Sequence, residues 1–202
     1  MESVMTDRNH TNPPRPDADQ DERDALQRRL REMSEEQFRR QMTQATRLLT
    51  QGKGKEAIPL LERCFEFRPD DVDVLTNLGG AYVLAERHQH AVPVLERATE
   101  LAPNNPAVWS NLAAAYLGKL VTATGERQTR ALAAYRRVIE IDPAYPNAHY
   151  HMGLIFIDRR EWDDAHDAFT RALETNPHDD DARTMRDRVR EIRRQPPSPL
   201  NN

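Results

Sequence analysis

A single cysteine, Cys64, stands among the 202 residues. One thiol can form neither an intramolecular disulfide nor a cysteine-based zinc cluster, which leaves only an intermolecular bridge open. With only seven glycines, a low apolar fraction of 38% and a high charged fraction of 31%, the composition favours helix over an all-β fold rich in glycine turns. No stretch approaches the roughly 18 consecutive apolar residues of a membrane span. The first 25 residues are polar and lack the apolar core of a secretory signal, so the expectation is a cytoplasmic protein with no membrane span.

Catalytic stock is equally thin. Serine occurs four times, at Ser3, Ser34, Ser110 and Ser198, and no Gly-x-Ser-x-Gly, Walker-type or dinucleotide fingerprint is present. Gly52-Lys53-Gly54-Lys55 lacks the Ser or Thr that a phosphate loop requires. No enzyme and no cofactor are therefore expected, and Cys64 reads as an inert packing residue. His149 and His151 lie about 200° apart around a helix and cannot chelate one ion as an i, i+4 pair could. His88 and His90 fall in a turn with no evident third ligand. Asp163, Asp164 and Asp167 lack the spacing of a calcium loop and read as a solvated face. No metal site is expected.

Charge makes up 31% of the chain, with a formal net of -4. The acidic excess lies in the body, between two modestly basic helical flanks. A nucleic-acid surface wants a broad positive field, so nucleic acid is an unfavoured partner and protein the favoured one.

The order in this sequence is a repeat. Asn77-Leu78-Gly79-Gly80-Ala81-Tyr82 aligns with Asn111-Leu112-Ala113-Ala114-Ala115-Tyr116 at an offset of 34 residues. Ala91, Leu95, Ala98 and Pro103 match Ala57, Leu61, Cys64 and Pro69 upstream at the same offset, and Ala165, Phe169, Ala172 and Pro177 at 74 downstream. The extra six residues are one insertion near 121–128. Within each copy the apolar residues recur at helical spacing in two runs, as in Leu75, Leu78, Gly79 and Tyr82. Small pairs mark the helix crossings: Ala45 with Ala57, Gly79 with Ala91, Ala113 with Ala131, Gly153 with Ala165. Pro69, Pro103, Pro143 and Pro177 close the copies. Pro59 and Pro93 fall inside second-helix patterns, so those helices are expected to begin near Glu56 and His90, or to kink there.

A helix-turn-helix unit of 34 residues with Trp109, Leu112 and Tyr116, then Gly153, Phe156, Ala165, Phe169, Ala172 and Pro177, resembles the tetratricopeptide repeat (TPR) family. That resemblance implies an all-α fold, a right-handed α-solenoid of four TPR helix pairs with a C-terminal capping helix. The expected organisation is a disordered tail over 1–22 and a leading helix over 23–37, with Ser34 and Gln37 as a capping box that starts the first helix of the first repeat near Glu35. Repeats follow at 38–71, 72–105, 106–145 with the insertion, and 146–179. A capping helix over 180–195, with Met185, Val189 and Ile192 inward, and a disordered tail over 196–202 complete it. The leading helix, with Leu26, Leu30 and Met33 on one face, either covers the end of the stack or self-associates.

The resemblance also implies a function: a non-enzymatic adaptor that holds a peptide or partner segment in a concave groove lined by the first helices. Carried over position by position, the groove residues are Thr76, Asn77, Gly80 and Leu84, then Ser110, Asn111, Ala114 and Leu117, then Asn147, Tyr150 and His151. Asn77, Asn111 and His151 form one expected row. A carboxamide both donates and accepts, so two Asn one repeat apart suit the backbone of an extended peptide. The basic set with which some family members clamp chaperone C-terminal carboxylates reads Met42, Thr46, Asn77, Ala107 and Asn111 here, so no such clamp is expected. Two alternatives stay open: a self-assembling homo-oligomeric scaffold, and nucleic-acid binding through the arginine-rich last helix.

Overall fold

The computed structural model describes residues 35–194, in two units divided after Arg40. In the first unit residues 35–40 are helical, with Arg40 paired to Glu36. The tail over 1–22, the Leu26, Leu30 and Met33 face, Ser34, and the tail over 196–202 lie outside the described residues.

The second unit opens with a helix, α1, over residues 41–50. Then follow α2 (Gly54–Phe67), α3 (Val72–Leu84), α4 (His88–Leu101) and α5 (Pro106–Leu117). A 3-10 turn at Leu120–Thr122 precedes α6 (Gly125–Ile141), α7 (Ala148–Asp158), α8 (Trp162–Thr175) and α9 (Asp180–Arg194). No strand occurs among the described residues. From α2 to α9 consecutive helices pack on one another, so the fold is an all-α solenoid of helix pairs.

Local chemistry sets the helix ends. The Asp71 carboxylate accepts from the amides of Asp73 and Val74 at the start of α3, and Asn105 accepts from Ala107 at the start of α5, where Pro106 needs no amide partner. Between the helices of a pair the chain turns through one left-handed residue: Gly52 (φ 72°), Glu86 (φ 60°) and Arg160 (φ 59°). The Arg87 amide then donates to the Tyr82 carbonyl at 2.8 Å and that of Glu161 to Phe156 at 2.9 Å. These are Schellman closures, which satisfy carbonyls that a helix end otherwise orphans. Only the first of the three positions has the residue that takes this φ without strain.

Two expectations about helix starts need correcting. α2 and α4 begin at Gly54 and His88, two residues before Glu56 and His90, which leaves Pro59 and Pro93 at the sixth helical position. Both prolines are solvent-exposed, as are Lys55 and Gln89, whose carbonyls lose their helical partner. On an exposed helix face a carbonyl without a helical partner is open to solvent, so a proline costs less there than in a buried helix interior.

The interior is packed from alanine and leucine. Ala45, Ala57, Leu61, Ala91, Leu95, Ala98, Ala113, Ala131 and Ala165 are fully or almost fully buried. Two glycines are required by close approach: a Cβ on Gly79 would stand 2.3 Å from Leu95 Cγ, and one on Gly153 2.7 Å from Phe169 Cζ. The helix pairs therefore cross where the side chain is smallest, as the repeat spacing predicts.

Candidate peptide-binding face

The first helices α3 and α5 pack directly on each other. The contact is tied by Asn111, whose Nδ2 donates to the Thr76 carbonyl at 3.3 Å. Gly80 faces this amide, and a Cβ there would lie at ordinary contact, 3.4 Å from Asn111 Nδ2. The Thr76 hydroxyl turns back to the Val72 carbonyl at 2.6 Å, so its own polar group is spent within α3. Asn77, partly exposed, has no hydrogen-bond partner among the described residues. Two asparagines that are equivalent in the repeat thus differ in the fold: one amide bridges helices and keeps its Oδ1, the other is uncommitted. Ser110, Ala114 and Leu117 on α5 are also partly exposed, and Leu84 at the end of α3 is 50% exposed.

On α7 the expected row changes character. The His151 ring stacks on Tyr135 of α6 at 5.6 Å and meets the Tyr150 ring edge-on at 5.8 Å. Tyr150 in turn lies edge-on to Phe169. Burial holds the His151 imidazole below its usual range and pushes the Tyr135 phenol well up. Asn147 is exposed at the N-cap of α7 with φ 62° and lines a cleft of about 250 Å³ with Tyr145, His149, Asn176 and Asp179. Those neighbours do not include Asn77 or Asn111.

The six-residue insertion produces that change. The α3–α5 contact has no counterpart of its extent between α5 and α7, and α7 instead packs on α6 and on the 3-10 turn. Leu120 lines an apolar cleft of about 260 Å³ with Leu154, Ile157, Trp162, Met185 and Val189. Gln128, only 3% exposed, fixes the insertion by donating from Nε2 to Asp158 Oδ2 at 2.7 Å and accepting from Arg159 Nε at 3.0 Å. Arg159 also donates to the Gly125 carbonyl and the Thr129 hydroxyl. Val121 projects from this braced turn at 93% exposure. Nothing in the repeat pattern marks Gln128, whose role comes from a residue 30 positions away.

Other chemistry is sparse. Cys64 is buried, its Sγ 3.8 Å from Gln41 Oε1, and burial pushes its thiol up, away from thiolate reactivity. Among the described residues no group of three His, Cys, Asp or Glu is placed to hold a metal ion. No helix among them is long and apolar enough to cross a membrane. On α9, Arg183 pairs with Asp180, Arg186 with Asp187 and Arg193 with Asp163, so half of its six arginines already face carboxylates.

Three family models, each describing a tetratricopeptide repeat, match residues 48–115, 125–158 and 146–179. No curated protein matches the sequence. Among solved structures the chain is similar to MamA, at 21% identity over 74% of this chain and 84% of that one, with a TM-score of 0.63. It is similar to a thermophilic TPR protein of Thermus thermophilus, at 19% identity over 77% and 82%, TM-score 0.66. It is also similar to the first TPR domain of Spaghetti bound to an HSP90 peptide, at 18% identity over 61% and 96%, TM-score 0.55. At such identities these likenesses speak to the fold, and with the three models they give the conclusion that this chain belongs to the tetratricopeptide repeat family.

Proposed function

We propose that the chain is an adaptor that binds an extended segment of a partner protein across the exposed faces of α3 and α5. TPR proteins are in general interaction scaffolds rather than enzymes, and the fold supports that role here. The observation that carries the finer reading is the asymmetric asparagine pair. Asn111 is held in place by its bond to the Thr76 carbonyl, which leaves Oδ1 as a fixed acceptor. Asn77, one residue on from Thr76, offers a free donor and acceptor. A peptide backbone presents both groups at each residue, so the two amides match it without selecting side chains. Because both helices are already folded and Asn111 is already fixed, the ordering cost falls mainly on the peptide.

Leu84, Ala114 and Leu117 supply the apolar part of the contact. Side-chain selection then comes from the end of the face, where the braced insertion with Val121 narrows the choice of partner. The Spaghetti domain among the structural neighbours holds an HSP90 peptide. This chain has Met42, Ala107 and Asn111 at the positions where a carboxylate clamp needs cations, and Thr46, where the clamp has an asparagine, spends its hydroxyl on the Met42 carbonyl. The partner is therefore an internal, extended segment rather than an acidic C-terminus.

Selection from a displayed library of unstructured peptides tests this. Binding by the selected peptides falls about tenfold in Asn77→Ala, the loss of one or two hydrogen bonds in a partly desolvated contact, with helical circular dichroism unchanged. Selected peptides that bind Asn77→Ala and Leu84→Ala as well as the unmodified chain place binding elsewhere and defeat the reading.

A further inference from the structure

Away from the α3–α5 face, a cleft of about 610 Å³ opens where the start of α4, the end of α5 and the start of α6 meet. Its size falls in the range of small-ligand pockets. Arg87, Arg127 and Arg130 line it against one carboxylate, Glu86, which is itself engaged by Lys119 at 2.8 Å. Arg130 is committed: it pairs with Glu96 at 2.9 Å and lies 4.0 Å over the Tyr116 ring. Arg127 is committed only through Nε, which donates to the Tyr116 carbonyl at 3.0 Å, so the outer edge of its guanidinium faces no carboxylate among the described residues. Gly118 admits it, since a Cβ there would stand 2.4 Å from Arg127 Nη2 and 3.3 Å from the His88 ring.

His88 is the anomaly of this cleft. Both ring nitrogens are shielded from solvent and no protein group hydrogen-bonds to either. An orphaned buried donor or acceptor costs about 1–3 kcal/mol, and native proteins keep few without a reason. Here an imidazole without a partner sits beside a guanidinium without a counter-ion.

We infer that this cleft binds a carboxylate, taken in bidentate fashion by the free edge of Arg127 and hydrogen-bonded by His88, with Arg87 adding charge at the mouth. A planar guanidinium fork matches a carboxylate in geometry. A carboxylate group, with one charge, suits the site better than a phosphate dianion, because Glu86 shares the rim and Val92, Ala115 and Tyr116 add apolar wall. The carboxylate belongs either to an acidic side chain of a partner segment or to a free small dicarboxylate.

The test is nuclear magnetic resonance of the His88 ring in the full chain, titrated with acetylated pentaglutamate, succinate, inorganic phosphate and, at matched ionic strength, sodium chloride. The His88 signal is expected to move saturably with a carboxylate probe. Pentaglutamate saturating first identifies a protein segment as the source, and succinate saturating first a free acid. Arg127→Gln and, separately, the exposed Arg87→Gln weaken that binding, the former about tenfold, with circular dichroism unchanged. Should Arg127→Gln fail to fold, the Arg87 variant still decides. No saturable movement with either carboxylate at about 10 mM, the weak end of the affinity scale, overturns the inference. So does an equal response to sodium chloride, tighter binding of phosphate, or unchanged affinity in the variants that fold.

Discussion

The Tyr82 hydroxyl donates to Glu62 at 2.9 Å, and 34 residues later the Tyr116 hydroxyl donates to Glu96 at 2.6 Å. The same bond thus braces two successive junctions, each from a first helix back to the preceding second helix. At the next junction Phe156 and Arg136 occupy the equivalent positions and the brace is absent. Burial and the Glu62 carboxylate push the Tyr82 phenol up to about 12, so it remains a donor throughout the neutral range.

Tyr82→Phe should lower unfolding free energy by about 1 kcal/mol, the net value of one hydrogen bond to a charged acceptor at a partly exposed site. The sign of the pH effect follows from the raised value. Tyr82 contributes stability that is complete below about pH 10, the usual tyrosine value, and is lost as pH rises towards about 12. Urea unfolding of both proteins at pH 8 and pH 11 checks it: the difference between them should shrink at the higher pH.

Gly52 and Gly125 separate backbone conformation from packing, because a Cβ on either meets nothing within 4 Å. Only Gly52 has a positive φ. Gly52→Ala should therefore destabilise by about 1 kcal/mol, whereas Gly125→Ala, in the first turn of α6, should be neutral or stabilise by about 0.5 kcal/mol. Thermal unfolding of the pair would show opposite or unequal shifts, and equal shifts would remove the conformational explanation.

His88, His149 and His151 are all held below the usual histidine range, in each case with burial as the first cause. A histidine buried neutral must charge as the chain unfolds in acid. Its contribution is present above about pH 6.5, the unfolded value, and is lost as pH falls towards the lowered folded value. Chemical unfolding should give lower stability at pH 5.5 than at pH 7.5, and His151→Gln should reduce that difference.

Gln128→Leu removes both partners that Gln128 gives to Asp158 and Arg159, leaving their side chains under-satisfied next to a buried methyl-bearing group. A loss of about 1–3 kcal/mol is expected, with faster amide exchange over residues 119–124 than elsewhere. If exchange rises uniformly along the chain instead, the insertion is not braced by this residue.

Period, small crossing residues and closing prolines carry the solenoid in the sequence, because each is dictated by contacts that repeat. Gly79 and Gly153 could be placed at crossings before any coordinates. What escaped were features that depend on one copy meeting another. Asn77 and Asn111 look alike until α5 lies on α3 and the Thr76 carbonyl takes one of the two amides. His151 belongs to a row by counting, yet the insertion separates α7 from α5 and the ring finds Tyr135 instead. Pro59 and Pro93 misplace two helix starts because both lie on exposed helix faces, which the pattern does not describe. His88 and Arg127 carry no motif at all, and only the bare backbone of Gly118 brings them side by side.

The most direct measurement is hydrogen exchange by mass spectrometry on the full chain with and without a peptide selected from the displayed library, in the unmodified protein and in Asn77→Ala. Binding across α3 and α5 predicts added protection in residues 72–84 and 106–117, absent in the variant, with residues 54–67 and 88–101 unchanged. Protection confined to those second helices or to residues 119–128, and retained in Asn77→Ala, would contradict it.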